Sequence, residues 1–249
     1  MGDQIHIGLL APQSASEPHF ANFRKLLPAD IVLTIEGRSA AHIPRYQFAG
    51  KTAEFVQRAV DFVRAHRVQG LIIAGAPVTL LNPDLEARVS DAVLIPTVTA
   101  LSSATATLKA LSAHRLIVLT PFDAGMNERI AAFLGRNQLT VLCSPLFENQ
   151  NLGAAAGVGP DELFQYVQKL LTEHSTAQAI YFQGAALDPL PVIERLENRL
   201  GISVVASNPA MLWHLLSKMG QTRSIKGYGR LLSSWPSLSS GNSIPNRST

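Results

Sequence analysis

The sequence predicts an α/β protein built from two similar halves, each a parallel sheet flanked by helices. Short apolar runs alternate with segments of helical periodicity along most of the 249 residues, and such alternation is typical of parallel sheets covered by helices. The same succession occurs twice, which predicts two pseudo-symmetric lobes with a ligand cleft between them. Corresponding points are Pro12 and Pro121, Gly75 and Gly184, and Ile95 and Ile202, which lie 107 to 109 residues apart.

Each half contains four predicted strands. The runs are short, apolar and often β-branched, as buried strands are. Helices are predicted where apolar residues recur every three or four positions, with Thr52 and Ser102 or Ser103 as N-caps and Pro160 at a helix start. Strands are expected at 5–10, 31–35, 71–74, 93–98, 116–119, 140–143, 179–182 and 203–206, and helices at 52–67, 102–111, 127–134, 160–171, 191–200 and 209–219.

These signals divide the chain into a first lobe over residues 1–112 and a second lobe over residues 113–225. The last helix of the second lobe is expected to pack back on the first lobe. Residues 226–249 are dominated by Ser, Gly, Asn and Pro. Because such a segment buries little apolar surface, it is predicted to be a disordered polar tail.

The composition excludes several classes of protein. The chain is 47% hydrophobic and 16% charged with a net charge of +3, and its basic residues form no stripe for nucleic acid. One cysteine allows no internal disulfide, and the seven histidines never recur at metal-ligand spacing. We therefore expect no metal site. No signal peptide or membrane span is visible, so a cytoplasmic protein is the expectation.

The glycines of the repeat fall where ligands of parallel sheets bind, beyond the carboxyl ends of the strands. Backbone N–H groups in the turns Gly75-Ala76 and Gly184-Ala185 can hold carboxylate oxygens. Glycine also occurs in tight strand-to-helix turns that bind nothing, so both interpretations stay open. The residues that this pattern predicts to contact the ligand are Gly75, Ala76, Gly184, Ala185 and Asn208.

Several segments resemble a known family. They are 99–104, 116–122, 127–129, 151–152, 161–163 and 199–208. They are similar to the aspartate/glutamate racemase superfamily, in the branch that contains maleate isomerase and arylmalonate decarboxylase. The resemblance covers residues 5–222 and is carried mainly by scaffold positions. It implies a fold of two lobes, a small carboxylate ligand and chemistry without a cofactor. Members are monomeric or oligomeric by branch, so a homo-oligomer stays open.

The chain departs from that family where the chemistry resides. The resemblance implies a cysteine in each half for racemases and one in the second half for decarboxylases. The first position falls at or next to Gly75 and the second at Gly184. The Asn that often lies three residues after the first-strand proline is Ala15 here, and the Tyr after the second Thr-Pro is Phe122. The resemblance adds Pro12 and Phe122 to the residues expected to contact the ligand. Two-base racemisation and cysteine addition to an alkene both need a thiol, so neither is expected.

Other reactive residues have simpler interpretations. Cys143 is expected to be a buried apolar side chain, and His214 to pack or lie at the surface, although it can face the cleft. Asp188 is expected to cap a helix rather than act as a general acid or base. Glu17 is expected to be a solvated loop charge. Ser102, Ser103, Ser207 and Asn208 can cap helices and contact a ligand at the same time.

Two functional hypotheses follow. The first is a cysteine-free enzyme acting on a small carboxylate or dicarboxylate, by decarboxylation or another lyase-type step in which the turns stabilise an enediolate. Water or another acid then supplies the proton, without stereocontrol. The alternative is a catalytically inactive member of the superfamily that binds a ligand or partner. The sequence identifies no catalytic residue.

Overall fold

The structure, a computed structural model, describes residues 4–12, 18–37, 45–146, 158–184, 187 and 189–238. It contains two four-stranded parallel sheets with the same topology, β2-β1-β3-β4 and β6-β5-β7-β8. The strands are β1 (Ile5–Ala11), β2 (Ile31–Gly37), β3 (Gly70–Ile73), β4 (Thr97–Thr99), β5 (Arg115–Leu119), β6 (Thr140–Cys143), β7 (Ala179–Phe182) and β8 (Ser203–Ala206).

Helices surround the sheets, as the alternating pattern predicts. Every residue of β3 and β7 is buried, as expected for central parallel strands covered on both faces. The helices are α1 (Pro18–Lys25), α2 (Thr52–His66), α3 (Ala76–Leu80), α4 (Leu85–Val93), α5 (Ala100–Ala110), α6 (Ala124–Arg136), α7 (Pro160–Glu173), α8 (Ile193–Leu200), α9 (Ser207–Lys218) and α10 (Arg230–Ser234), with a 3₁₀ turn at Arg45–Phe48.

The strand register defines the repeat residue by residue. Leu10 pairs with Ile73 in the first sheet, and Leu119 pairs with Phe182 in the second. Both pairs are therefore related by the same shift along the chain, and Gly75 corresponds to Gly184. At the outer strands Ile73 pairs with Thr99 and Phe182 with Ala206. The first residue of α5, Ala100, therefore corresponds to the first residue of α9, Ser207.

The fourth strand is shorter than predicted. The apolar run at 93–98 is divided, because Val93 is the last residue of α4 and β4 begins at Thr97. Leu94 adopts a left-handed conformation at the helix end and is 84% exposed. The prediction that Ser102 or Ser103 caps α5 is wrong. The N-cap is Thr99, whose side chain accepts a hydrogen bond from the Ser102 N–H. Thr52 lies in the first turn of α2 and Lys51 is its N-cap.

The predicted disordered tail is wrong for residues 226–238, which are ordered. Leu231, Leu232 and Trp235 of this segment are buried. The Glu197 carboxylate accepts a hydrogen bond of 2.6 Å from the Arg230 N–H, and the Trp235 indole donates one of 3.2 Å to Ser217. Three large apolar side chains and a buried acceptor are enough to hold this short segment. Residues 239–249 lie outside the described part of the chain.

Helix α9 of the second half packs against α5, β3 and β4 of the first. The Lys218 ammonium donates to the Thr97 carbonyl at 2.8 Å. Gly70 allows a close approach, because a Cβ there would lie 2.7 Å from the Met219 sulfur. This packing joins the halves through buried side chains. No helix within the described residues is long and apolar enough to cross a membrane.

Candidate active site

The first glycine turn lies directly after β3. The Ala74 N–H extends the sheet by donating to the Leu10 carbonyl at 2.9 Å, and the Gly75 carbonyl accepts from the Val78 N–H at 3.1 Å. Gly75 has a φ of +95°, and a Cβ there would lie 2.9 Å from Pro12 Cγ. The turn therefore requires glycine, and it places Pro12 against Gly75.

The second turn repeats this geometry after β7. The Gln183 N–H donates to the Leu119 carbonyl at 2.8 Å, and the Gly184 carbonyl accepts from the Leu187 N–H at 3.2 Å. Gly184 has a φ of +99°, and a Cβ there would lie 3.1 Å from Pro121 and 3.7 Å from Phe122. Phe122 is buried, so an apolar ring lies beside the second turn.

The carboxyl ends of the two sheets meet. Helix α3, which follows Gly75, packs against α6 of the second half. In the 3₁₀ turn of the first half, the Tyr46 hydroxyl donates to the Asp123 carboxylate at 2.9 Å, 77 residues away. Asp123 is the N-cap of α6 and follows Phe122 directly. Both glycine turns therefore lie at the junction of the halves.

A buried polar cluster surrounds the second turn. The Ser207 hydroxyl accepts a hydrogen bond of 3.0 Å from the Gly184 N–H and lies 3.3 Å from the Phe182 carbonyl. The Tyr181 hydroxyl donates to the side-chain oxygen of Gln183. Burial raises the pKa of the Tyr181 phenol, and its hydrogen bond with Ser207 offsets this only in part. At neutral pH this cluster is therefore uncharged, and the Gly184 amide is already engaged.

The first turn lacks the corresponding polar groups. The residues equivalent to Tyr181, Gln183 and Ser207 are Ile72, Ala74 and Ala100. Among the described residues, no acceptor receives a hydrogen bond from the Gly75 or Ala76 N–H, although Ala76 is fully buried. Buried backbone donors are rarely left without a partner. The first turn therefore has two amides available to an anion.

The Thr120 side chain holds the backbone that follows β5. Its hydroxyl accepts a hydrogen bond of 3.1 Å from the Phe122 N–H and donates one to the side-chain oxygen of Asn127. The Asn127 amide nitrogen is buried and has no partner in the part of the chain that the structure describes. These contacts fix Phe122 beside Gly184.

The remaining candidate residues take structural positions or are not described. Asn208 is buried in the first turn of α9. Cys143 ends β6 at a half-buried position, and burial together with Glu173 raises the pKa of its thiol. It therefore lacks the lowered pKa of a reactive thiolate. Ala185, Asp188, Ala15, Glu17 and residues 151–152 lie outside the described residues. Within those that are described, no cluster of His, Cys, Asp or Glu could hold a metal ion.

Sequence reasoning missed three contacts at this junction. They are the Tyr181–Gln183 bond, the Tyr46–Asp123 bond and the bond between His214 Nδ1 and the Ser103 hydroxyl, 3.2 Å long. His214 is buried against α5, which is the packing role among the two that the sequence left open. Only the first of these had a signal in the sequence, since the polar residues Tyr181 and Gln183 lie two positions apart at the end of β7, where the first half has Ile72 and Ala74.

Comparison with known proteins decides the family. The family model described as arylmalonate decarboxylase matches residues 75–232. The chain belongs to the arylmalonate decarboxylase family. The matched region begins at the first glycine turn and includes Phe122, Gly184 and Asn208, whereas Pro12 precedes it.

Two individual proteins are similar to the chain in sequence. The arylmalonate decarboxylase of Bordetella bronchiseptica is 26% identical over 185 residues, which are 71% of this chain and 77% of that protein. The maleate isomerase of Alcaligenes faecalis is 22% identical over 144 residues, 57% of this chain and 56% of that protein.

Solved structures confirm the predicted fold. A liganded double mutant of arylmalonate decarboxylase superposes with a TM-score of 0.81 at 22% identity, covering 93% of this chain and 100% of the other. The maleate isomerase of Pseudomonas putida S16 with maleate gives 0.73 at 18% identity, with 93% and 98% covered. The α/β fold with two parallel sheets is therefore shared with both.

Proposed function

We propose that this member of the arylmalonate decarboxylase family is a cofactor-independent enzyme acting on a small carboxylate or dicarboxylate. The reaction is a decarboxylation or another lyase-type step rather than a racemisation with two thiols. The observation that carries the proposal is the first glycine turn, whose Gly75 and Ala76 amides have no partner among the described residues. The related arylmalonate decarboxylase and maleate isomerase are named for reactions of small carboxylates.

The proposed site is asymmetric. The two amides of the first turn hold a carboxylate that the substrate retains, and the buried Phe122 ring lies across the site beside Gly184. When the bond from the α-carbon to the second carboxylate breaks, CO₂ leaves and the electron pair remains on an enediolate. The amides stabilise the charge that develops on its oxygens.

The proton on carbon then comes from water or from an acid other than a thiol. Cys143 is the one cysteine of the chain, and it lies at the end of β6 rather than at either turn. The Gly184 turn carries no thiol to deliver a proton to one face. We therefore expect a product without a preferred configuration. The proposal retains Pro12, Ala185 and Asn208 as further ligand contacts, a division into lobes at residues 112 and 225, and the cytoplasm as location.

A panel of substituted malonates and maleate, followed by NMR in D₂O, tests the proposal. We expect loss of CO₂ from at least one malonate, with deuterium incorporated at the α-carbon in racemic form. A panel without turnover, combined with thermal shifts that report binding, would support the inactive ligand-binding alternative and contradict the enzyme.

Two neighbouring substitutions test the amides directly. Ala76→Pro removes one donor at the first helical position, where proline is tolerated, and should weaken turnover and binding about tenfold, the effect of one hydrogen bond to a charged group. Pro77→Ala is the matched variant, because it adds an amide instead of removing one. If Ala76→Pro and Pro77→Ala were equally active, the Ala76 amide would not hold the substrate.

A further inference from the structure

Gln183 directly precedes the Gly184 turn, and its side chain is 1% exposed. Its N–H donates to the Leu119 carbonyl, which extends the pairing of β7 by one residue. Side chains two positions apart in a strand lie on the same face, so Gln183 shares a face with Tyr181, whose hydroxyl donates to its Oε1. The carboxamide is therefore held at the end of the strand, beside the second turn.

This face of the second sheet is directed toward the first half. Ser207, which hydrogen-bonds the Tyr181 hydroxyl and the Gly184 N–H, is the first residue of α9. Helix α9 packs against α5, β3 and β4 of the first half. The Gln183 carboxamide therefore lies at the carboxyl end of the second sheet, on the side where the halves meet.

The nitrogen of this carboxamide is a donor without an acceptor. Among the described residues, Nε2 of Gln183 has no hydrogen-bond partner. The atom nevertheless keeps accessible surface, whereas the Asn127 nitrogen, which is also unpaired, is sealed from solvent. A buried donor without a partner costs free energy, and in a folded protein it calls for a water or a ligand. Gln183 therefore offers N–H groups to a molecule in the candidate active site.

The first half has no counterpart of this group. The position equivalent to Gln183 is Ala74, and the first turn offers the backbone amides of Gly75 and Ala76 instead. The site thus has two backbone donors in one half and a side-chain amide in the other. A carboxamide nitrogen donates hydrogen bonds without carrying charge, so Gln183 can bind an oxygen of a ligand but supplies no proton to it.

We propose that Gln183 contacts the substrate, and that its Nε2 donates a hydrogen bond to a second carboxylate while Gly75 and Ala76 hold the first. This inference rests on the proposed function and adds the residue that distinguishes a dicarboxylate from a monocarboxylate. In the proposed reaction the second carboxylate leaves as CO₂, and the electron pair of its bond to carbon remains on the enediolate at the first turn. The hydrogen bond from Gln183 therefore contributes to substrate binding and is lost as CO₂ departs.

Calorimetry of the full chain with maleate and with isocrotonate, in which a methyl group replaces one carboxylate, tests the proposal. The wild type should bind maleate about tenfold more tightly than isocrotonate, as expected for a hydrogen bond to a charged group. Gln183→Met has no donor and should bind the two acids equally. Gln183→Glu keeps an oxygen for the Tyr181 hydroxyl but presents a carboxylate to the ligand, so it should prefer isocrotonate.

Gln178→Glu is the matched control. Gln178 directly precedes β7 at its opposite end, where its Oε1 accepts from the His114 and Arg115 N–H groups, so this variant should keep the wild-type preference. A thermal melt of each variant confirms that it is folded.

Two results would overturn the proposal. A wild-type preference in both Gln183 variants, or equal binding of the two acids by the wild type, would leave water as the partner of Nε2. Turnover plays no part in this comparison, so the inference can fail while the proposed reaction stands. If the wild type bound neither acid, the proposed carboxylate site would fail, and this inference with it.

Discussion

The turns at Gly75 and Gly184 have nearly the same backbone and very different polar surroundings. Their φ angles are +95° and +99°, and each glycine lies against the proline that follows the neighbouring strand. The Gly184 amide is bonded to Ser207, whereas the residue equivalent to Ser207 in the first half is Ala100. The repeat thus conserves a backbone and its packing, and the polar groups differ between the halves.

The two turns therefore offer a ligand different surroundings. Within the described parts of the chain, the Gly75 and Ala76 amides of the first turn have no acceptor, as the proposed anion site requires. At the second turn the Gly184 amide is bonded to Ser207, and the side chains of Tyr181, Gln183 and Ser207 are all buried. A ligand held at the first turn would therefore face an uncharged turn whose Gly184 amide is already engaged.

The largest expected effect comes from giving either glycine a side chain. Gly75→Ala should lower the free energy of unfolding by about 3 kcal/mol and Gly184→Ala by about 2 kcal/mol, because a strained φ is combined with a short contact to proline. The first loss is larger because its Cβ would lie 2.9 Å from Pro12, against 3.1 Å from Pro121 at the second turn. Urea unfolding measures both values.

Gly135→Ala is the matched control for these variants. Gly135 lies in α6, and a Cβ there would meet nothing within 4 Å, so this substitution should stabilise the protein by about 0.5 kcal/mol. If all three variants were equally stable, the turns would not need glycine. A cysteine introduced at either turn carries the same strain, so an engineered thiol there reports on a destabilised protein.

Exchange of the hydroxyl between the halves tests the polar difference. Ser207→Ala leaves the partly buried Gly184 N–H without its acceptor and should destabilise the protein by about 1 kcal/mol. The reciprocal Ala100→Ser places a hydroxyl where it can accept from the Gly75 N–H. That variant should stay as stable as the wild type and bind maleate about tenfold more weakly, measured by calorimetry.

Opposite results would reverse the assignment. If Ala100→Ser bound maleate normally while Ser207→Ala lost binding, the carboxylate would be held at the second turn. If Ser207→Ala were as stable as the wild type, the hydrogen bond to Gly184 would contribute nothing in solution.

The sequence predicts the parts of this comparison that depend on apolar pattern and glycine. Strands β3 and β7 are short runs of mostly apolar residues, and two positions after each comes a glycine followed by a small residue. Both the fold and the turns can therefore be predicted from the sequence. The strand predicted at 93–98 begins too early, because the first apolar residues of the run do not belong to a strand. Val93 ends a helix, and Leu94 is exposed in the loop.

Contacts between the halves cannot be predicted in this way. The Tyr46–Asp123 bond joins residues 77 apart and the Ser103–His214 bond residues 111 apart, and no local spacing relates either pair. The ordered segment containing α10 is equally hidden. Its apolar residues are too few for a periodic pattern, and its anchor Glu197 lies on another helix.

The helices that join the halves, α5 and α9, extend the comparison. The position of His214 in α9 corresponds to Thr107 in α5, and that of Ser103 corresponds to Ala210. His214 bonds Ser103 across the junction. The reciprocal pair is Thr107 and Ala210. Because alanine offers no hydrogen bond, the buried Thr107 hydroxyl has no partner within the described residues.

His214 should make stability depend on pH where Thr107 cannot. Its pKa is about 4 in the folded protein and about 6.5 in an unfolded chain. Between these values the unfolded chain binds more protons, so the contribution of the neutral ring is present above pH 6.5 and is lost towards pH 4. From pH 7 to 5.5 the loss should be about 1 kcal/mol. Urea unfolding of the wild type and of His214→Gln measures it, and identical pH dependence in the two would contradict the prediction.

Thr107→Val is the smallest and most selective change. It removes an unsatisfied buried hydroxyl while keeping the volume and branching of the side chain, so it should stabilise the protein by about 0.5–1 kcal/mol. Ser103→Ala, on the same helix, removes the partner of His214 and should have the opposite sign. Thermal and urea unfolding of the two variants decide whether the junction is polar on one side only. If Thr107→Val were destabilising, its hydroxyl would have a partner in solution and the two sides would be more alike than the structure shows.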